Sequence, residues 1–329
     1  MLYRTVFAML ATALGCGLAS PLARAASFDV AIFHTERDAL AESFKFWAAE
    51  VDKRTQGRVQ FKPSYSGALT SAVETLGAVR SGVVPVGLTA ASFSSGALPA
   101  LGYLEAIGGL PNDAELMRKA LDGVQTPLSD LLRKYGVELM FAQPTFELVV
   151  VCSGKHLKAV GDWPGMKVRA AGRWQSQQVI ALGGAATAID PGEQYLALQN
   201  KTVDCALSVP NLVLSLKLHE VAPKLTALRQ AVNLSLYIMN PRTWRSISAA
   251  DQATMRAVSA EAQNRAITLM RGVADKGLTD IKGLGSDVYT LNDAELKAMK
   301  EKMKPAFDKI AEGSGETGKP FAEQLKPYW

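Results

Sequence analysis

Ser27-Phe28-Asp29-Val30-Ala31-Ile32-Phe33, then Leu40, Phe44, Trp47, Ala48 and Val51, then Gly57-Arg58-Val59-Gln60-Phe61-Lys62: this stretch decides the fold class. The first run reads as a strand, bounded by polar residues. Thr35 with Asp38 makes a capping box, which starts a helix. The five apolar residues that follow recur at helical spacing and form one core-facing stripe. Residues 57–62 alternate as a second strand. Ser71 and Glu74 open another helix, which turns Leu76 and Val79 inward and stops at Gly82. Val83 to Thr89 is nearly continuous apolar sequence, as expected of a strand covered on both faces. Strand–helix–strand–helix–strand predicts an α/β fold with a largely parallel sheet.

The same alternation continues past a Gly- and Pro-rich stretch at Ser92 to Pro111. Asn112 to Tyr135 reads as a helix, and Val137 to Phe141 and Glu147 to Cys152 as strands. Short strands follow at Met166 to Ala170, Ala185 to Ile189, Val203 to Ser208 and Val232 to Met239. Helices are predicted between them at Trp174 to Leu182, Gln194 to Gln199 and Leu212 to His219. Ala249 to Lys276 reads as one long helix. A strand at Asp287 to Leu291 and a charged amphipathic helix from Asp293 to Ala311 come last. The 329 residues suffice for two domains at about 150 residues each. No linker divides them cleanly, so the chain is expected to cross between its halves more than once.

Arg4, the uncharged run Thr5 to Leu18 and the small-x-small triplet Ala23-Arg24-Ala25 form a secretory signal, residues 1–25, with cleavage expected after Ala25. The run is shorter than the about 20 apolar residues of a membrane span. Leu14-Gly15-Cys16 is a partial lipobox whose position 13 is Ala rather than the usual Leu. Export implies a periplasmic location. There Cys152 and Cys205 either pair or remain two small buried apolar side chains. The net charge of +5, from 36 Lys and Arg against 31 Asp and Glu, is interspersed. No basic block or aromatic-basic ladder points to nucleic acid.

Catalytic signatures are missing where they would be legible. His34, His156 and His219 are far apart, and His219-Glu220 lacks a second His at helical spacing. There is no Cys-x-x-Cys, no Gly-x-Ser-x-Gly and no Gly-x-Gly-x-x-Gly after a strand. Gly313 to Lys319 has the spacing of a phosphate loop, but Pro320 replaces the magnesium-binding hydroxyl residue and a helix precedes it. The residues call for no cofactor and no metal, which shifts weight from catalysis towards binding.

Asp162-Trp163-Pro164-Gly165-Met166-Lys167-Val168-Arg169, followed by Glu193-Gln194-Tyr195-Leu196-Ala197-Leu198-Gln199 and Val203-Asp204, resembles the solute-binding subunit of tripartite ATP-independent periplasmic (TRAP) transporters. Gly57-Arg58-Val59, Glu220-Val221-Ala222, Asn240 with Trp244, and Asp251-Gln252 extend the likeness over nearly the whole mature chain. The resemblance implies a two-lobed periplasmic-binding-protein-like α/β fold with a long helix spanning both lobes. Lobe I would comprise 26–149 plus 236–272, and lobe II 150–235 plus 273–329. It implies a non-enzymatic receptor that captures an organic carboxylate and hands it to TRAP permease subunits in the membrane. An exported enzyme on the same scaffold and a receptor serving a sensor kinase are the alternatives.

The resemblance also assigns the carboxylate grip to Arg169, a role suited to a guanidinium, whose fixed fork of donors cannot lose its charge. Where the family usually reads Gly-Gln-Glu-Asn-Pro after the Asp, this chain reads Cys205-Ala206-Leu207-Ser208-Val209-Pro210-Asn211. Ser208 by position or Asn211 by residue type would be the polar contact. His34 and Arg37 flank a helix start, a natural anion site, and Ser66 precedes another. Phe146, Trp174 and Tyr237 are candidate aromatic walls. The second arginine of sialic-acid-type relatives is absent from Glu147 to Cys152, which favours a ligand with one carboxylate, such as a 2-oxo or 2-hydroxy acid. Substitution of that arginine by Arg37 or Arg173 would restore dicarboxylate recognition.

Overall fold

The computed structural model describes residues 26–231 and 233–329; the expected signal peptide lies outside them. Among the described residues, eleven strands form two sheets. The first contains β1 (Ala26–Ala31), β2 (Val59–Ser64), β3 (Val86–Ala90), β4 (Glu138–Pro144) and β10 (Leu234–Met239), in the order β2-β1-β3-β10-β4. The second contains β5 (Val149–Cys152), β6 (Lys167–Ala170), β7 (Ala185–Ala188), β8 (Cys205–Ser208), β9 (Lys224–Ala227) and β11 (Asp287–Thr290), in the order β11-β9-β5-β8-β6-β7. The molecule is a two-lobed α/β protein, one sheet to a lobe.

Side chains alternate across each sheet, so each sheet is packed on both faces. Val30, Leu88 and Tyr237 point to one side of the first sheet and Ala31, Leu236 and Ile238 to the other. In the second, Val150, Val168 and Leu207 face one core, with Val149, Val151 and Ala206 facing its counterpart. The sheets are less parallel than the sequence pattern predicts. β10 runs antiparallel to β3 and β4, and β5 antiparallel to β8 and β9. Both exceptions are crossover strands. β4 ends at Pro144 and β5 begins at Val149, so no intervening helix can turn the chain back into a parallel strand.

These crossings lie side by side. The Leu148 N–H donates to the Gln230 carbonyl (2.6 Å) and the Leu228 N–H to the Leu148 carbonyl (2.8 Å). Glu147, Arg229 and Asn233 occupy the left-handed region here, with φ of 59°, 54° and 66°. The Glu147 carboxylate joins them by accepting from Asn112 Nδ2 (3.0 Å) and the Arg229 N–H (2.7 Å).

The long helix runs Ala249–Gly283, 35 residues, or about 52 Å. It buries Met255, Val258 and Ala262 against the first lobe, Ile267 and Met270 midway and Ile281 against the second. Arg58 and Asp251, from two distant parts of the sequence likeness, meet at its start in an ion pair of 2.7 Å. One expectation shifts at the C-terminus. Met299 and Met303 pack with the second sheet, but Ile310, Phe321 and Leu325 join the core around the helix Ala114–Tyr135. The kink is at Lys304-Pro305, where proline ends one helix and starts the next. Gly313 and Ser314 end the helix Pro305–Ser314, Gly315–Thr317 forms one 3-10 turn, and Lys319 starts the helix Lys319–Leu325.

Candidate functional site

Arg169 sits on β6, 3% exposed. The strand is placed by its own motif. Asp204 Oδ2 accepts the Lys167 N–H at 2.9 Å, which aligns β6 beside β8. The Asp162 carboxylate accepts the N–H groups of Lys158 and Ala159, and Gly165 supplies the φ of 80° that the turn before β6 needs. Arg169 Nε donates to the Ile189 carbonyl (2.9 Å) and Nη1 to the Leu207 carbonyl (2.8 Å). Among the described residues no carboxylate lies within ion-pair distance of it. Burial pushes its pKa down to about 10 against the pull of Asp190, so at neutral pH a full positive charge lies in the interior, hydrogen-bonded to neutral carbonyls and offset by Asp190 at longer range. Such a charge is stabilised by an arriving anion.

The guanidinium lines a cavity of about 50 Å³ between the two sheets. Leu40, Phe33 and Phe93 come from the first lobe, Ser208, Gln175 and Pro191 from the second, and Thr145, Leu148 and Asn233 from the crossovers. No Asp or Glu lines it. Its amides present donors. Gln175 Oε1 accepts the Ala171 N–H (3.1 Å), and Asn233 Oδ1 accepts the N–H groups of Ser92 and Leu234 (both 3.1 Å). Each is left with its NH2 for a ligand. Ser208 Oγ is buried without a protein partner. One guanidinium, two amide NH2 groups and a hydroxyl make a donor-rich hollow suited to carboxylate oxygens.

Of the nine residues expected from sequence, Arg169 and Ser208 line this cavity. Asn211 does not; its Nδ2 donates to Asp38 Oδ1 (3.0 Å), and Ser215 Oγ donates to Asp38 Oδ2 (3.0 Å). Asp38 is itself the cap of the helix Ala39–Arg54, accepting the Leu40 N–H at 2.8 Å. This single carboxylate therefore ties the first lobe to the helix Pro210–Ser215 of the second. The cap is Asp38 alone, without the Thr35 side chain expected from the capping-box pattern.

His34 is buried and does not line the cavity. Its Nδ1 faces the Thr35 carbonyl at 3.4 Å, its Nε2 has no partner, and burial lowers its pKa against the pull of Asp38. Arg37 and Ser66 are exposed. The proposed aromatic walls belong to the cores. Tyr237 stacks on Phe141 at 4.5 Å and on Phe44 at 5.4 Å. Phe146 packs in the first lobe's core under Arg271, and Trp174 packs there too, under Arg173. Arg37 and Arg173 do not line the cavity. Its aromatic surface comes instead from Phe33 and Phe93, each just beyond a strand's C-terminal end, where α/β folds receive ligands; that rule is the signal that could have found them.

Cys152 and Cys205, directly opposed on β5 and β8, form a disulfide (Cα–Cα 4.1 Å). It closes off the end of β8 away from Ser208. No group of three His, Cys, Asp or Glu among the described residues is arranged to hold a metal, and no helix among them is long and apolar enough to cross a membrane.

Known proteins share this architecture. The ectoine-binding periplasmic protein TeaA of Halomonas elongata is 22% identical over 296 residues, covering 88% of this chain and 85% of that protein. A TRAP periplasmic solute binding protein from Desulfovibrio salexigens, solved with bound orotic acid, superposes with a TM-score of 0.87 at 22% identity, covering 92% of this chain and 98% of that one. DctP7, a Bordetella pertussis extracytoplasmic solute receptor binding pyroglutamic acid, gives 0.86 at 18% identity over 92% and 100%. The profile of bacterial extracellular solute-binding protein family 7 matches residues 30–314, and the chain belongs to that family.

Proposed function

We propose that this protein is a periplasmic receptor that captures a compact organic monocarboxylate between its lobes and delivers it to the membrane subunits of a TRAP permease. The observation that carries the reading is Arg169, a buried cation hydrogen-bonded only to backbone carbonyls, at the wall of an interlobe cavity that no Asp or Glu lines. The ligand carboxylate takes the guanidinium fork. Ser208 Oγ and the amides of Asn233 and Gln175 take a second oxygen, such as that of a 2-oxo or 2-hydroxy acid. Phe33 and Phe93 cover the apolar part.

The ligands of structural relatives support the carboxylate class. The orotic acid and pyroglutamic acid bound by two structural relatives are themselves compact monocarboxylates. Lobe I is taken as 26–149 with 236–272 and lobe II as 150–235 with 273–304, the remaining C-terminal residues riding on lobe I. Cleavage after Ala25 and the Cys152–Cys205 bond suit an oxidising periplasm.

A thermal-shift panel tests the ligand class, because a tight ligand raises the melting temperature by mass action. Pyruvate, lactate, 2-oxobutyrate and pyroglutamate are expected to stabilise the protein more than succinate, galacturonate or sialic acid. A larger shift with C4-dicarboxylates or sialic acid would overturn the monocarboxylate assignment.

A further inference from the structure

Glu105 is fully buried, yet it does not line the cavity, and its carboxylate is taken by hydrogen bonds to backbone and hydroxyl donors. Its Oε1 accepts the N–H of Trp174 (2.8 Å) and of Gln175 (3.3 Å), at the start of the second-lobe helix Arg173–Ala181. Its Oε2 accepts from Ser95 Oγ, at the end of the short helix Ala91–Ser94 that carries Phe93. The helix Arg173–Ala181 has Gly172 at its N-cap and no cap from its own side chains. A Cβ on Gly172 would overlap Glu105 Oε1 and the Ser92 carbonyl, so glycine here admits a carboxylate from elsewhere in the chain. Two residues further on, Ile107 exchanges hydrogen bonds of 2.8 and 3.0 Å with the Gln178 amide.

We propose that Glu105 is a positioning residue for the ligand cavity: it rivets the Phe93 wall to the Gln175 wall, and its protonation state tunes carboxylate affinity. The inference rests on the carboxylate reading of the site. Gln175 and Phe93 both line the cavity, and Glu105 is the group bonded both to Gln175 and to Ser95 beside Phe93. A helix N-terminus favours a negative charge, but burial opposes it and raises the carboxyl to about 7 despite the bonds from Ser95, Gln175 and Trp174. The charged group facing it is Arg173, which favours ionisation. The helix Pro305–Ser314 approaches through Ile310, and its Asp308 acts on Tyr103 instead.

Both protonation states keep the rivet, because a carboxyl can donate to Ser95 while still accepting from Trp174. They differ in charge. The ionised form adds a negative charge beside a hollow built for an anion, so ligand and proton bind together, and affinity falls as pH rises through about 7.

The test is calorimetric titration of pyruvate and lactate into wild type, Glu105→Gln and Glu105→Ala at pH 6.0 and 8.5. Wild type is expected to bind about fivefold more weakly at pH 8.5, at the low end of coupling between linked sites. Glu105→Gln keeps an acceptor for Trp174 and a donor for Ser95 without the charge, so it is expected to hold the low-pH affinity at both values. Glu105→Ala, which leaves buried donors unmet, is expected to bind about tenfold more weakly at both. His34 and Asp190, whose pKa values burial also shifts, are untouched in all three proteins. A wild-type slope that persists in Glu105→Gln, or a wild type with no slope, would overturn the inference while leaving the carboxylate site standing. Failure of wild type to bind either acid, or any acid of the thermal-shift panel, would sink the site reading itself and this inference with it.

Discussion

Arg169 is held by its neighbours rather than by its charge. Two of its nitrogens are spent on the carbonyls of Ile189 and Leu207, which fixes the plane of the guanidinium before any ligand arrives. Lysine has neither the plane nor the fork, so Arg169→Lys is expected to keep the fold and lose most carboxylate affinity, as read by calorimetry; wild-type affinity in that variant would refute the fork argument. Ser208→Ala removes one neutral hydrogen bond and is expected to weaken a 2-oxo or 2-hydroxy acid by about 1 kcal/mol. An equal loss for a plain carboxylate without the second oxygen would show that Ser208 holds the carboxylate instead. At this scale the sequence was legible for position, where a motif reports a strand end, as with the placement of Arg169 and Ser208 at the cavity wall. It was not legible for Asn211, whose partner Asp38 is 173 positions away, nor for Phe146, Trp174 and Tyr237. Aromatic residues read alike from sequence whether they line a cavity or fill a core.

Among elements, the Asp38 clasp and the paired crossovers divide the work of bringing the lobes together. Asp38 holds the helix Pro210–Ser215 through Asn211 and Ser215, beside Leu40 and Leu212 of the cavity wall. Asp38→Asn preserves a good helix cap but turns an amide against the amide of Asn211. It is expected to speed ligand release, and the exchanged pair Asp38→Asn with Asn211→Asp is expected to restore it. Stopped-flow dissociation checks both, and a double variant no better than the single would remove Asp38 from the account. The Cys152–Cys205 bond closes a loop with a sequence separation of 53, worth about 4 kcal/mol in a chain-entropy treatment. A Cys152→Ala, Cys205→Ala protein is therefore expected to melt lower by calorimetry, and an unchanged melting temperature would count against that contribution. The strand and helix pattern of residues 26–90 was readable from periodicity. The antiparallel turn of β5 and β10 was not, because direction depends on what joins two strands and both joins here are short crossings between lobes.

For the whole molecule, the left-handed residues Glu147, Arg229 and Asn233 mark where the chain passes between sheets, and the long helix braces both lobes. Closure about these crossings is expected to shrink the radius of gyration when ligand binds; identical solution-scattering profiles with and without saturating ligand would contradict it. Stability should also carry the mark of Glu105. Its folded pKa is raised to about 7 by burial, above its unfolded value near 4.5. The folded chain thus keeps a proton that the unfolded chain surrenders. That contribution is fully present below the unfolded value and is lost as pH rises through the folded one. Glu105→Gln should therefore gain on wild type in melting temperature between pH 5 and pH 8, and a constant gap would contradict it. The overall two-lobed design was visible in the ordered motifs, whereas the docking of the C-terminal helices on the first lobe was not, since Pro305 redirects the chain.

The most direct test of the central claim is calorimetric titration of the best compact monocarboxylate into wild type and Arg169→Ala. Without the guanidinium the ligand carboxylate enters an interlobe hollow with no counter-charge, so the account predicts a loss on the order of 2–5 kcal/mol in binding free energy with the fold retained. Near-normal affinity in Arg169→Ala would contradict it.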